Sequence, residues 1–258
     1  MAIQLNDRDL LIFQLIDEHR VLLEKHISWF ISGEDKPVLI RDRLRKLFYL
    51  DYLLCHRHGT KLPWWTTPTK PLVYMLSQIS RAAADVSEEV LDLYDADIQR
   101  HFLEVANLRM LGLIDQKDEK LSKFTWTTVK TETPGKAVDA FVSFTQNART
   151  HKIAVVNHPA VTTELVPSID EAIKSGAEHV LLVSRDDAHQ AALQKLVAQS
   201  GSINAKRCLF ATHHEIYREG LVTTQWTTCD TSKATVFAKP VETAPTANWT
   251  AMPVATAV

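Results

Sequence analysis

Arg41, Arg43, Arg45 and Lys46 fall within "IRDRLRKLFYL", and Arg57 and Lys61 follow in "CHRHGTK". Guanidinium groups offer paired hydrogen bonds to guanine or phosphate, and an exposed helix of this width fits a major groove. Leu44 and Leu47 mark the other face of the same segment, so the cations cannot all lie on a buried side. Two uses remain open for them: contacts to DNA, or pairing with Asp42 and nearby acids on a solvated face. Arg57 and Lys61 stand beside Trp64 and Trp65, where they could meet phosphates or a minor groove. For the two tryptophans, packing of the loop onto the body is the better reading.

Other clusters are less suited to chemistry. "CHRH" on a strand puts Cys55 and Arg57 on one face and His56 and His58 on the other, which leaves two histidines without a third zinc ligand. "THHEIY", with His213, His214 and Glu215, lacks the spacing of a helical zinc motif. The chain has seven glycines, none in a phosphate-loop order, and no GxSxG elbow, so nucleotide-driven and serine-hydrolase functions are not expected. Asp186 and Asp187 follow an apolar run and read better as helix caps than as catalytic acids. No metal site and no cofactor is expected.

These residues need elements to position them. "LNDRDLLIFQLIDEHR" predicts a first helix capped by Asn6 or Asp7, with Leu10, Phe13, Leu15 and Ile16 inward. "LLEKHISWFIS" predicts a second, with Leu23, Ile27, Phe30 and Ile31 on one side and Gly33 ending it. A third spans "VLIRDRLRKLFYL", with Ile40, Leu44, Leu47 and Phe48 inward and Arg41, Arg45 and Lys46 outward. Two extended runs, "DYLLCHRHG" and "LVYML", flank the proline-rich "TKLPWWTTPTKP". Three helices and then two strands joined by a loop make a winged helix-turn-helix.

A short helix follows in "SQISRAAADV", then a long one in "SEEVLDLYDADIQRHFLEVANLRMLGLID" starting at a Ser87 cap. Beyond it "KFTWTTVKT", "AVDAFVSFT" and "KIAVVNH" read as strands, then "PSIDEAIKSGAEH", "VLLVS", "DDAHQAALQKLVAQS" and "KRCLFAT" alternate helix and strand. The stretch to "TTQWTTC" reads as irregular, and the tail from Lys239 as flexible. The predicted fold class is α+β: a winged helix-turn-helix domain at 1–84, a helical connector with an α/β domain at 85–238, and a tail at 239–258.

The chain has 258 residues, 45% hydrophobic and 23% charged, with a formal net charge of −2, so a DNA-binding role must rest on local charge. Three scattered cysteines argue against a disulfide framework. With no leader at the N-terminus and no apolar run long enough to span a bilayer, a cytoplasmic protein with no membrane partner is expected.

The order "LNDRDLLIFQLIDEHRVLLEKHI", "RDRLRKLFYLDYLL", "VYMLSQISRAAA" and "HFLEVANLRMLGL" resembles the replication-relaxation family of plasmid and mobile-element proteins over about the first 115 residues. One departure stands out: where such proteins commonly carry glycine after the third helix, this chain has Asp51 followed by Tyr52. The resemblance implies an opening winged helix and a second domain like a degenerate restriction endonuclease. It also implies DNA binding in plasmid replication, mobilisation or transcriptional control, with a relaxase or replication partner.

An endonuclease core of that kind needs an acid on one strand and an acid-x-lysine on the next, to hold magnesium and orient water. Asp139 falls where the first acid is expected and Glu104, on the preceding helix, could assist. "HKIAVVNHP" has no carboxylate, and Lys152 precedes the strand. The expectation is therefore a non-enzymatic, sequence-specific binder of double-stranded DNA, dimeric because two linked modules multiply effective concentration. A metal-dependent nuclease and a protein-interaction adaptor are the alternatives.

Overall fold

The computed structural model describes residues 4–60, 62–86, 88–234 and 236–237. Asn6 opens helix α1 (Asp7–His19) through a reciprocal capping box with Asp9. The two-residue strand β1 (Leu22–Leu23) follows, then α2 (Glu24–Ser32), which Gly33 ends in the left-handed region at φ 65°. The Ser28 hydroxyl ties the turn to α3 (Pro37–Tyr49) by donating to the Glu34 carbonyl and accepting from the Lys36 amide. Leu22 and Leu23, predicted inside α2, are instead paired with Tyr74 and Val73.

The chain turns after α3 at Asp51, whose φ of 58° is the left-handed conformation that glycine takes more readily. Strands β2 (Leu53–Arg57) and β3 (Leu72–Leu76) then pair antiparallel, giving a small sheet in the order β1-β3-β2. Ile40, Leu44 and Leu47 form the buried stripe of α3 and meet Ile12, Phe13 and Ile16 from α1. Phe48 departs from expectation. It lies one helical step beyond that stripe, 41% exposed, with its ring 5.7 Å from that of Tyr49.

After α4 (Gln78–Ala83), the long helix begins at Ala96, well beyond its predicted start. The reason is local: Glu89 accepts from the amides of Val90 and Leu91, and Asp92 from that of Tyr94, so side chains hold the backbone in turns. Asp95 then caps α5 (Ala96–Lys117) through the amides of Asp97 and Ile98. The proposed Ser87 cap lies outside the described residues, as does the tail from Lys239.

α5 is the spine of the molecule. Phe102 and Leu103 pack with Val21, Leu62 and Val73 of the first sheet region, and Leu108 and Leu111 with the second sheet. That second sheet has the order β4-β5-β6-β7-β8. β4 (Ser122–Thr128), β5 (Ala140–Gln146) and β6 (Arg149–Asn157) form an antiparallel meander; β7 (His179–Ser184) and β8 (Cys208–Thr212) continue parallel to β6. The parallel strands alternate with α6 (Leu165–Lys174) and α7 (Asp187–Gln199), whose Ile169 and Leu193 bury against Val156, Val180 and Phe210. Each such side chain withdrawn from water contributes about 1.5–3 kcal/mol.

Two strand-end predictions are corrected. Lys152 lies within β6, opposite Ser143, rather than before it. The stretch after β8, read as irregular, begins with α8 (His213–Glu219), which Thr212 and Glu215 close with a capping box. The whole is a mixed α+β fold with two sheets. No helix among the described residues is long and apolar enough to cross a membrane.

Candidate functional site

The outer face of α3 carries the predicted cations in unequal states. Arg41 makes a forked contact with Glu24, at 2.9 Å from Nη2 to Oε1 and 3.2 Å from Nε to each carboxylate oxygen, and stays half-exposed. Arg43 reaches back to the fully buried Asp9, with Nε 2.6 Å from Oδ1. Burial alone would raise the Asp9 carboxyl, but the Arg43 hydrogen bonds and the Asn6 amide hold it below the usual range. Arg43 therefore joins α3 to the capping box of α1, and is committed to that buried contact. Arg45 sits 3.6 Å from Asp42, both well exposed, and Lys46 is exposed with no carboxylate in ion-pair range among the described residues.

Arg57, at the end of β2, is exposed and donates to the Lys70 carbonyl at 2.9 Å. Lys70, which the sequence reading passed over, donates to the Gly59 carbonyl at 2.9 Å. The two thus cross-link the ends of the β2–β3 loop, and among the described residues no carboxylate lies in ion-pair range of either. Lys61 lies outside the described residues. Trp64 is buried, its ring 6.0 Å from His213 of α8, and Trp65 donates from Nε1 to the Thr69 carbonyl, so both pack the loop as expected.

A second constellation lies where β6, β7 and β8 end. Asn157 closes β6, Arg185 follows β7 and His213 follows β8, so the topology brings all three to one edge. Carboxyl ends of parallel strands are where open α/β sheets place their ligands. α5 supplies His101 and Glu104 from below. The Asn157 side-chain amide donates to Glu104 Oε2 and to the His101 carbonyl, each at 3.2 Å, and accepts from His213 Nε2 at 2.6 Å. Asp139, just before β5, accepts from His101 Nε2 at 2.7 Å and from the backbone N–H of Asn157 at 2.7 Å. Arg185 and Arg100 complete the shell of Glu104, with Nε atoms 3.0 and 2.8 Å from Oε1.

The network is sealed: Glu104 and Asn157 are fully buried and Asp139, His101 and His213 nearly so. Burial by itself raises the Glu104 carboxyl, yet His213, Arg185 and Arg100 outweigh it and hold the group below its ordinary value. Burial drives His213 down to about 4, against the opposing pull of Glu104. His158, beside the network with its ring 4.3 Å from that of His189, is pushed to about 3 by burial and then by Arg185. Glu104 and Asp139 thus meet at one residue, as the nuclease alternative requires, but their oxygens are engaged by His101, Asn157 and two arginines. Among the described residues no three His, Cys, Asp or Glu side chains converge in a metal-holding arrangement.

The sequence points to Glu104 and Asp139 as candidate acids and to His213 only as part of a failed zinc spacing, and it gives no role to His101, Asn157 or Arg185. The signal was present: Asn157, Arg185 and His213 each follow an apolar run that reads as a buried strand.

No family model matches the chain, and no curated protein matches it. Among solved structures, it matches restriction endonuclease FokI at 10% identity and TM-score 0.28, and FokI bound to DNA at 12% identity and TM-score 0.28. Each match covers 84% of this chain and 45% of the endonuclease, so the chain spans less than half of the structures it resembles. The expectation of a protein without enzymatic activity is corrected by this finding, since the matched structures are those of an enzyme. At that TM-score the likeness carries no argument about mechanism.

Proposed function

We propose that this chain binds double-stranded DNA through a winged helix-turn-helix formed by α1 to β3, with α3 as the recognition helix and the β2–β3 loop as the wing. The observation that carries the reading is the element order α1-β1-α2-α3-β2-β3 with sheet order β1-β3-β2, which leaves α3 with an open face bearing Arg45 and Lys46. Arg41 keeps half its surface and can trade Glu24 for a phosphate, and Arg57 and Lys70 put charge at the base of the wing. Side chains of this kind position a protein on the backbone, and a few of them read base edges. The second sheet is read as a restriction-endonuclease-like domain for self-association. The setting in plasmid or mobile-element replication, mobilisation or control, with a relaxase or replication partner, rests on the resemblance of the first 115 or so residues. Selection of bound sequences from a random DNA library tests this. A palindromic consensus supports a dimeric reader, and recovery of unenriched DNA counts against one.

A second reading, a nuclease, takes its support from the meeting of Glu104 and Asp139 at Asn157. As placed, Arg100 and Arg185 bond the Glu104 oxygens that a magnesium ion would need, so no metal-assisted step is assigned. Incubating the purified chain with supercoiled plasmid and magnesium or manganese tests it. Cleavage lost in both Glu104→Gln and Asp139→Asn supports the reading; cleavage by neither variant nor wild type, or by all three, removes these acids from it.

A further inference from the structure

A cleft of about 520 Å³ opens between the start of α2, the β2–β3 loop and α5, within the size range of small-molecule sites. Its residues combine three chemistries rarely assembled by packing alone. Asn107 of α5 lines it while fully buried, and among the described residues only the His26 ring approaches its amide closely enough to interact, leaving the rest of its donors and acceptors without a hydrogen-bond partner. His26, which also lines the cleft and is also fully buried, has no partner for Nε2 beyond that amide among the described residues. A buried amide short of partners is costly, so an occupant that satisfies it recovers that free energy.

Trp64 and Trp65 form a wall, with the Trp65 ring fixed by its bond to the Thr69 carbonyl. The mouth carries Arg57 and Lys70, each donating to a backbone carbonyl and, among the described residues, meeting no carboxylate in ion-pair range. Glu24 on the rim is already neutralised by Arg41, while Asp35 is a second rim acid, which assigns an anion to the Arg57 and Lys70 end.

We propose that this cleft binds a nucleotide: a planar base against the tryptophan wall with its edge bonded to Asn107, and its phosphate held by Arg57 and Lys70. A side-chain amide offers a donor and an acceptor together, which matches the edge of a nucleobase. Stacking on an aromatic ring holds any base by its face, and the amide then distinguishes its edge. The ligand has two sources, a free mononucleotide or a base turned out of a DNA strand, and the site stands without the recognition-helix reading.

The test titrates the full chain with each deoxynucleoside monophosphate, the parent nucleosides and inorganic phosphate, following tryptophan fluorescence and heat. Parallel titrations use a matched duplex and a duplex carrying one unpaired base. Saturable binding of a monophosphate, about tenfold tighter than its nucleoside or phosphate alone, supports the site with a free ligand. A preference of that size for the unpaired-base duplex, without binding of free nucleotide, supports it with a strand-borne one. Arg57→Gln and Trp65→Leu should each weaken binding about tenfold, and Asn107→Leu should flatten discrimination among bases. The two mouth variants keep the test sound where Asn107→Leu disturbs the α2–α5 contact. No saturable binding by any nucleotide with equal affinity for the two duplexes overturns the proposal, as does unchanged binding in both mouth variants. Duplex binding that survives such a failure leaves the winged-helix reading intact.

Discussion

Arg43 and Arg45 are two residues apart on one helix and have opposite tasks. Arg43 compensates a carboxylate with no exposed surface, so Arg43→Ala strands the Asp9 charge and should cost about 3 kcal/mol, read as a drop in urea midpoint. Arg45→Ala, at an exposed pair, should stay within about 0.5 kcal/mol. His213 makes a pH prediction. Its folded value of about 4 lies below the ordinary 6.5, so between those values the unfolded chain binds a proton that the folded chain does not. Stability therefore falls as pH drops through that window. His158 and His26, each near 3, act in the same direction, and Glu104 adds to it at lower pH, where its carboxylate is lost. Denaturant midpoints at pH 7 and pH 5 should show His213→Gln losing less than wild type, by on the order of 1–2 kcal/mol. Equal losses in the two proteins would mean that His213 is not buried neutral. None of these pairings was legible from sequence, because Asp9 and Arg43, or Glu104 and Arg185, meet only through tertiary packing.

At the scale of elements, legibility followed the strength of the local pattern. α3 shows its apolar stripe at Ile40, Leu44 and Leu47, and its end is readable where that stripe gives way to the extended run of β2. The start of α5 was not, because Glu89 and Asp92 look helix-compatible until their side chains are seen bonding their own backbone. α8 escaped notice because "THHEIY" was weighed for zinc spacing rather than for Thr212 and Glu215 as a capping box. Asp51 was the one turn where the sequence asked a conformational question. Its positive φ predicts that Asp51→Gly relieves the α3–β2 turn, raising stability by about 0.5–1 kcal/mol in thermal unfolding. A loss of stability on that change would show that the Asp51 side chain contributes something beyond the turn.

For the molecule as a whole, α5 decides the arrangement, since its Phe102–Leu103 end belongs to the first sheet's core and its Leu108–Leu111 end to the second's. The cations of α3 and of the β2–β3 loop belong to the elements around the first sheet, and the sealed network of Glu104, Asp139, Asn157 and His213 stands at the strand ends of the second. A chain with a net charge of −2 gains no general attraction to DNA, so the proposed binding requires a few placed cations and carries their salt dependence. The direct measurement is the affinity of the full chain for selected duplex DNA across a salt series, beside Arg45→Glu with Lys46→Glu. Wild type should show a steep fall with salt, and the double variant a weaker affinity with a shallower slope. A flat salt response, or a double variant that binds like wild type, would contradict binding through these cations.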